Sequence, residues 1–210
     1  MSRPLRLAAV LFGLACVGQL VPWSAASAQR TDVRLARLDS TTRLLVAAVV
    51  DSARRTRLPT EPLIDKALEG AQKGAEGGRI VTAVRGLYAD LRSARAALGA
   101  GAASEEINAG ANAIHAGMPM RTLTQLRSVS QHAGRARVTL PLTVYTDLIA
   151  RKVPPAVASD VVLSLAKAGL RDDDYAMFQR NVRLDIENGA DAATAAQTRA
   201  RGAALRNAGR

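Results

Sequence analysis

Cysteine is nearly missing from this chain. The single one, Cys16, lies in an apolar N-terminal stretch. The remainder can therefore form no disulfide framework and no cysteine metal site, and it cannot attach a c-type haem. Aromatic residues are almost as scarce. Phe12 and Trp23 share that stretch, which leaves Tyr88, Tyr145, Tyr175 and Phe178 for the rest. Sugar clefts and single-strand nucleic-acid grooves rely on aromatic stacking platforms, so this shortage argues against both, and no nucleic-acid partner is expected. Beyond residue 28 no apolar run approaches the roughly 20 residues a spanning helix needs, so no transmembrane span is expected there. Also missing are a Gly-x-Ser-x-Gly turn, a phosphate-binding loop and a dinucleotide fingerprint, and no cofactor is expected.

What the first 28 residues contain is ordered: Arg3 and Arg6, an apolar run from Leu7 to Val21, then Ala26-Ser27-Ala28. This is the basic, apolar, small-x-small order of a cleavable secretory signal, with Ala26 and Ala28 as the cleavage residues and a mature chain starting near Gln29. The expected location is therefore exported, periplasmic or secreted. An uncleaved anchor fits less well, because the run is short and broken by Gly13, Gly18 and Gln19. A lipoprotein anchored at Cys16 would have Gly13 where an aliphatic residue belongs.

Acids are outnumbered, 18 against 29 bases, and only four bases are lysines: Lys66, Lys73, Lys152 and Lys167. Loss of residues 1–28 removes two arginines and no acid, so 27 against 18 leaves a formal charge of +9. The arginine excess reads either as a composition bias or as a surface for anionic lipid, polysaccharide or an acidic protein, since arginine forks fit phosphate and carboxylate. The bases are spread along the chain with acids among them.

Strand signals are nearly absent, and a helical punctuation repeats. A small or aliphatic residue is followed by Pro or an acid, then a helical stretch, then Gly or a base. Leu58–Gly74, Met118–Gly134, Val153–Gly169 and Leu170–Gly189 show it most clearly; Ala102–Gly117 and Arg135–Lys152 follow it, the last with Lys where Gly would stand, and Ala75–Gly101 is longer. Pro62, Pro119, Pro141, Pro154 and Pro155 suit helix starts, and Gly74, Gly117, Gly134, Gly169 and Gly189 suit left-handed ends. Apolar spacings of three and four define helix faces: Leu44, Leu45, Ala48 and Val49; Ile80, Val84, Leu87, Leu91, Ala94 and Leu98; Val157, Val161, Leu165 and Ala168; Tyr175, Phe178, Val182 and Ile186. Turns at Met118, Val153 and Ala190 lie 35 and 37 residues apart, a spacing typical of stacked helical hairpins. The expected fold is all-α: antiparallel helical hairpins stacked as a solenoid-like repeat, or an irregular helical bundle. The expected divisions are the signal at 1–28, a helical segment at 29–58, a hairpin domain at 59–189, and a cap helix or frayed tail at 190–210.

Few constellations suggest chemistry. His115 and His132 each stand two residues before a terminating Gly, where a cation meets a helix C-terminus favourably; a metal site would need Glu105 or Glu106, and no ligand spacing supports it. Asp172-Asp173-Asp174 lacks the ligand and glycine positions of a calcium loop and reads as a helix start. Glu61, Asp65 and Glu69 share one helix face. Paired carboxylates cleave glycosides, but they also form ordinary surface pairs with Lys66 and Lys73. Gly77-Gly78 before Arg79 offers backbone N–H groups for an anion at a helix start, with Arg85 and Arg92 extending a basic face. The leading expectation is an exported, non-enzymatic docking or scaffold module with an envelope or secreted protein as partner. The alternative is a peripheral binder of anionic envelope surface, lipid or polysaccharide, and the third reading is a cell-wall hydrolase.

Overall fold

The computed structural model describes residues 32–132 and 138–208, all within the compact unit Thr31–Arg210. The stretch expected to be a secretory signal, with Cys16, Ala26 and Ala28, the glycine at 134 and the side chain of His132 lie outside the described residues. Among the described residues are a short 3-10 turn, Val33–Arg37, nine α-helices and no strand. The helices are α1 Ser40–Arg55, α2 Glu61–Gln72, α3 Gly77–Leu98, α4 Ser104–His115, α5 Met120–His132, α6 Thr139–Ala150, α7 Pro155–Lys167, α8 Asp172–Glu187 and α9 Ala192–Ala208.

Packing joins alternate helices. α1, α3, α5, α7 and α9 form one row, each touching the next odd-numbered helix; α4, α6 and α8 form a second, and α2 heads it, packed on α1 and α3. The rows meet where α3 lies on α2 and α4, α6 on α7, and α8 on α9. The fold is thus a two-layered stack of antiparallel helices. Glycine lets the layers close: in α4, a Cβ on Gly110 would stand 3.0 Å from the Cβ of Ala94 and 3.2 Å from Leu98 Cδ1, both of α3. The core is mainly Leu, Val, Ile and Ala, with Tyr145, Tyr175 and Phe178 as its largest buried side chains.

The reversals share one chemistry. α1, α2, α4, α6, α7 and α8 each end in a left-handed residue: Arg57, Gly74, Gly117, Lys152, Gly169 and Gly189. After each, the next N–H returns to a carbonyl five residues back. Leu58 N donates to Ala53 O at 2.9 Å, Met118 N to Ala113 O at 2.9 Å and Val153 N to Leu148 O at 3.0 Å. This satisfies carbonyls that a helix end would otherwise leave open. The donor residue is often a large apolar one, and Leu58, Met118, Val153 and Leu170 are all buried. The apolar residue that opens these sequence units, Leu58, Met118, Val153 or Leu170, is therefore the cap of the helix before it. Lys152 takes the left-handed conformation (φ 67°) where glycine was missing.

Three expectations need correction. α1 does not bury Leu44, Leu45 and Ala48; Leu44 is 69% exposed, and Thr42, Val46, Val50 and Ala53 face inward. The run Leu44–Val50 is apolar on every side of a helix, so periodicity could not choose its face. α3 stops at Gly99 (φ 88°), two residues before Gly101, because Leu98 is the last residue of its buried stripe. Pro119 and Pro154 stand just before α5 and α7 rather than in their first turns, and their carbonyls accept the first helical N–H groups.

One buried acid ties three segments together. Glu106 is 4% exposed. Its Oε2 accepts from Ala103 N at 3.1 Å, and its Oε1 accepts from Arg127 Nη1 at 3.2 Å and Val138 N at 3.1 Å. It therefore caps α4, grips α5 and anchors the chain entering α6. Asp39 and Asp191 cap α1 and α9 by accepting from Thr42 N and Thr194 N.

A Cβ on Gly189 would meet nothing within 4 Å, so Gly189→Ala tests the backbone alone; it should cost about 1 kcal/mol in urea unfolding, whereas Lys152→Gly should stabilise. Glu106→Ala leaves three donors without their acceptor and should cost about 3 kcal/mol, read as a lowered urea midpoint. A midpoint within error of the parent would contradict the tie.

Candidate functional site

Charge is sorted by layer. Helices α1, α3, α5, α7 and α9 carry thirteen Arg or Lys and only three acids: Asp51, Asp90 and Asp160. Helices α2, α4, α6 and α8 carry eleven acids and only three such bases: Lys66, Arg180 and Arg183. The rows therefore differ in sign, +10 against −8. α7 is the neutral member of the basic row, with Asp160 balancing Lys167. Neutralisation inside the basic row is local: Asp51 pairs with Arg54 at 2.6 Å, and Asp90 reaches across to His115 of α4 at 3.3 Å. Arg79, Arg85, Arg121, Arg201 and Arg206 are exposed and make no ion pair among the described residues.

α3 shows how this surface is built. Its buried side meets α2 through Ile80 against Gly70, and α4 through Ala94 and Leu98 against Gly110. Away from these contacts it exposes Gly78, Thr82, Gly86, Ala89 and Ala96, a ridge of short side chains. Arg85 and Arg92, one heptad apart, share a flank; Arg79 is six residues from Arg85 and about a third of a turn round from it. The Arg92 guanidinium lies 5.9 Å from the Tyr88 ring centroid, which braces it.

The expected anion residues do not close into one pocket. Gly77, Gly78 and Arg79 occupy the first turn of α3, while Arg85 and Arg92 lie about 9 and 20 Å further along its axis. Gly77 has a packing reason: a Cβ there would collide with Thr42 Oγ1 and stand 3.3 Å from Asp39 Oδ2. The chain's own Asp39 carboxylate thus already faces that helix start, with Glu76 just before it.

The carboxylate trio is engaged by cations. Arg34 binds Glu61 at 2.8 Å and lies 4.0 Å from Asp65. Glu69 is held by Lys73 and Lys66, which bring its carboxyl down to about 2. Ionised at neutral pH, it is no proton donor for glycoside cleavage. Asp65 and Glu69 line a groove of about 480 Å³ with Arg37, Leu68, Ala71 and Gln72, and no aromatic is among its described lining residues. His115 ends α4, and Asp172–Asp174 form the first turn of α8. No group of three or more His, Cys, Asp or Glu among the described residues is placed to hold a metal ion, and no described helix is long and apolar enough to cross a membrane. Sequence reasoning missed the Glu106 tie, the Asp90–His115 pair and the Arg92–Tyr88 contact. It also missed the sorting by layer, whose signal was present in the charges of alternate helices.

Acid response follows from these pairs. The carboxyls of Asp39 and Asp191 are lowered by hydrogen bonds from Thr42 and Thr194, that of Asp185 by Arg199, and that of Glu69 by Lys73 and Lys66. Lowered carboxyls contribute fully above their ordinary values, 3.8 for Asp and 4.5 for Glu, and lose that contribution as pH falls through the lowered ones. The urea midpoint should fall from about pH 5 toward pH 2, and Asp39→Asn, which keeps the cap acceptor without its charge, should flatten part of that slope. A midpoint rising on acidification would contradict the assignment. Comparison of the chain with family models, curated proteins and solved structures finds no match.

Proposed function

We propose that the protein is an exported, non-enzymatic docking module that meets an acidic envelope partner with its odd-numbered layer. The observation that carries this reading is the sorting of charge: bases on one row of helices, acids on the other. Complementary charge steers association and fixes orientation, and a sorted surface does both where an evenly mixed one does neither. The order of the first 28 residues supports export, and the carboxylates considered for catalysis are tied up in cation pairs.

The test is crosslinking in cells with a C-terminally tagged chain, followed by sequencing of the N-terminus of the recovered protein. The expected result is a start at Gln29 with crosslinks that weaken as salt rises and vanish in an Arg85→Glu/Arg92→Glu variant. Recovery with Met1 attached would remove the export half of the proposal, and crosslinks unchanged in the variant would remove the docking half.

A further inference from the structure

We infer that the partner of the basic layer is the surface of a bilayer carrying anionic phosphate headgroups, an inference that rests on the docking reading and specifies it. Three observations select this partner among acidic ones. The first is extent. Among the described residues, exposed arginines without an ion pair stand on α1, α3, α5 and α9, four members of one row, against Arg180 alone on the even-numbered helices, so the positive charge is spread over a broad face. Its counterpart is an equally broad array of negative charge. Guanidinium groups bind phosphate through two parallel N–H donors, and the short side chains along α3 keep nothing bulky between Arg79 and Arg85 or Arg92 and an approaching headgroup.

The second is the absence of hot-spot chemistry on this face. Tight protein interfaces are anchored by aromatic residues in well-packed pockets, and sugar sites by stacking platforms. Here Tyr145, Tyr175 and Phe178 are buried, and Tyr88 is half-buried beside Arg92. Headgroup binding needs no such anchor.

The third is the place of the exposed apolar residues. Leu44 on α1 and Leu205 on α9 are 69% and 75% exposed, against 39% and 44% for Met177 and Leu184 on α8 of the other row, so the most exposed large apolar residues of the described α-helices stand on the two end helices of the basic row. Bases with flanking leucines are what an element lying in a membrane interface presents: charge meets phosphate while the leucines enter the headgroup boundary. No spanning segment is required.

The experiment is vesicle flotation of the mature chain near physiological ionic strength, with phosphatidylcholine alone and with phosphatidylcholine plus phosphatidylglycerol. Two triple variants carry the same change in net charge. Arg79→Glu/Arg85→Glu/Arg92→Glu reverses the odd layer, and Lys66→Glu/Arg180→Glu/Arg183→Glu reverses the only bases on the even-numbered helices. Circular dichroism confirms that both are folded. The parent should float only with anionic vesicles and be released by high salt. At roughly fivefold per arginine near an anionic surface, the odd-layer variant should lose on the order of a hundredfold in affinity or more, and the even-layer variant far less. Equal losses would overturn the inference, because net charge and not the face would then be responsible. No flotation of the parent, together with retention on polyglutamate through the same three arginines, would overturn the lipid partner and leave the docking reading intact. No binding to vesicles or polyglutamate would overturn both.

Discussion

A left-handed residue closing one helix, followed by a residue whose N–H reaches back five positions, is the constraint on which the rest of this structure depends. Leu58, Met118, Val153 and Leu170 each close the helix before them and bury their side chains in doing so. One residue thus ends a helix, satisfies its last carbonyls and fixes the reversal against the core. Repeated along the chain, the device sends helices alternately into two layers. Glycine supplies the conformation at four of the six positions, while Arg57 and Lys152 adopt it without that freedom.

Once alternate helices belong to alternate layers, position in the chain becomes position on a face. Charges mixed along the sequence become separated in space: α3 and α9 bring arginines to one row, and α2 and α8 bring acids to the other. Ties between the rows run both with this division and against it. Arg199 of α9 holds Asp185 of α8 at 2.6 Å, and Asp90 of α3 meets His115 of α4. These contacts lock the layers together and use few of the exposed arginines, so a surface of one sign remains available.

How much of this was legible depended on how local the signal was. Most helix ends were legible, because glycine, proline and the apolar cap lie within a few residues of each other, and even the substitution of Lys152 for glycine could be read; the end of α3, two residues before Gly101, was not. The face of α1 was not, because Leu44–Val50 is apolar all round and only contact with its neighbours turns Val46 and Val50 inward. In the sequence Glu106 is one of two adjacent acids, with Glu105, considered as a partner for a metal site. Its burial comes from Arg127 and Val138, which lie 21 and 32 residues away. Arg79, Arg85 and Arg92 were legible as a basic stretch of one helix, but their membership in a larger surface required knowing which helices stand side by side.

The most direct test of the central claim, that the fold sorts charge onto opposite faces, is residue-resolved amide broadening by small charged paramagnetic probes in solution. An anionic probe should broaden amides of α3, α5 and α9 more than those of α2, α4 and α8, and a cationic probe should reverse the order. Equal broadening of the two rows by both probes would contradict the account.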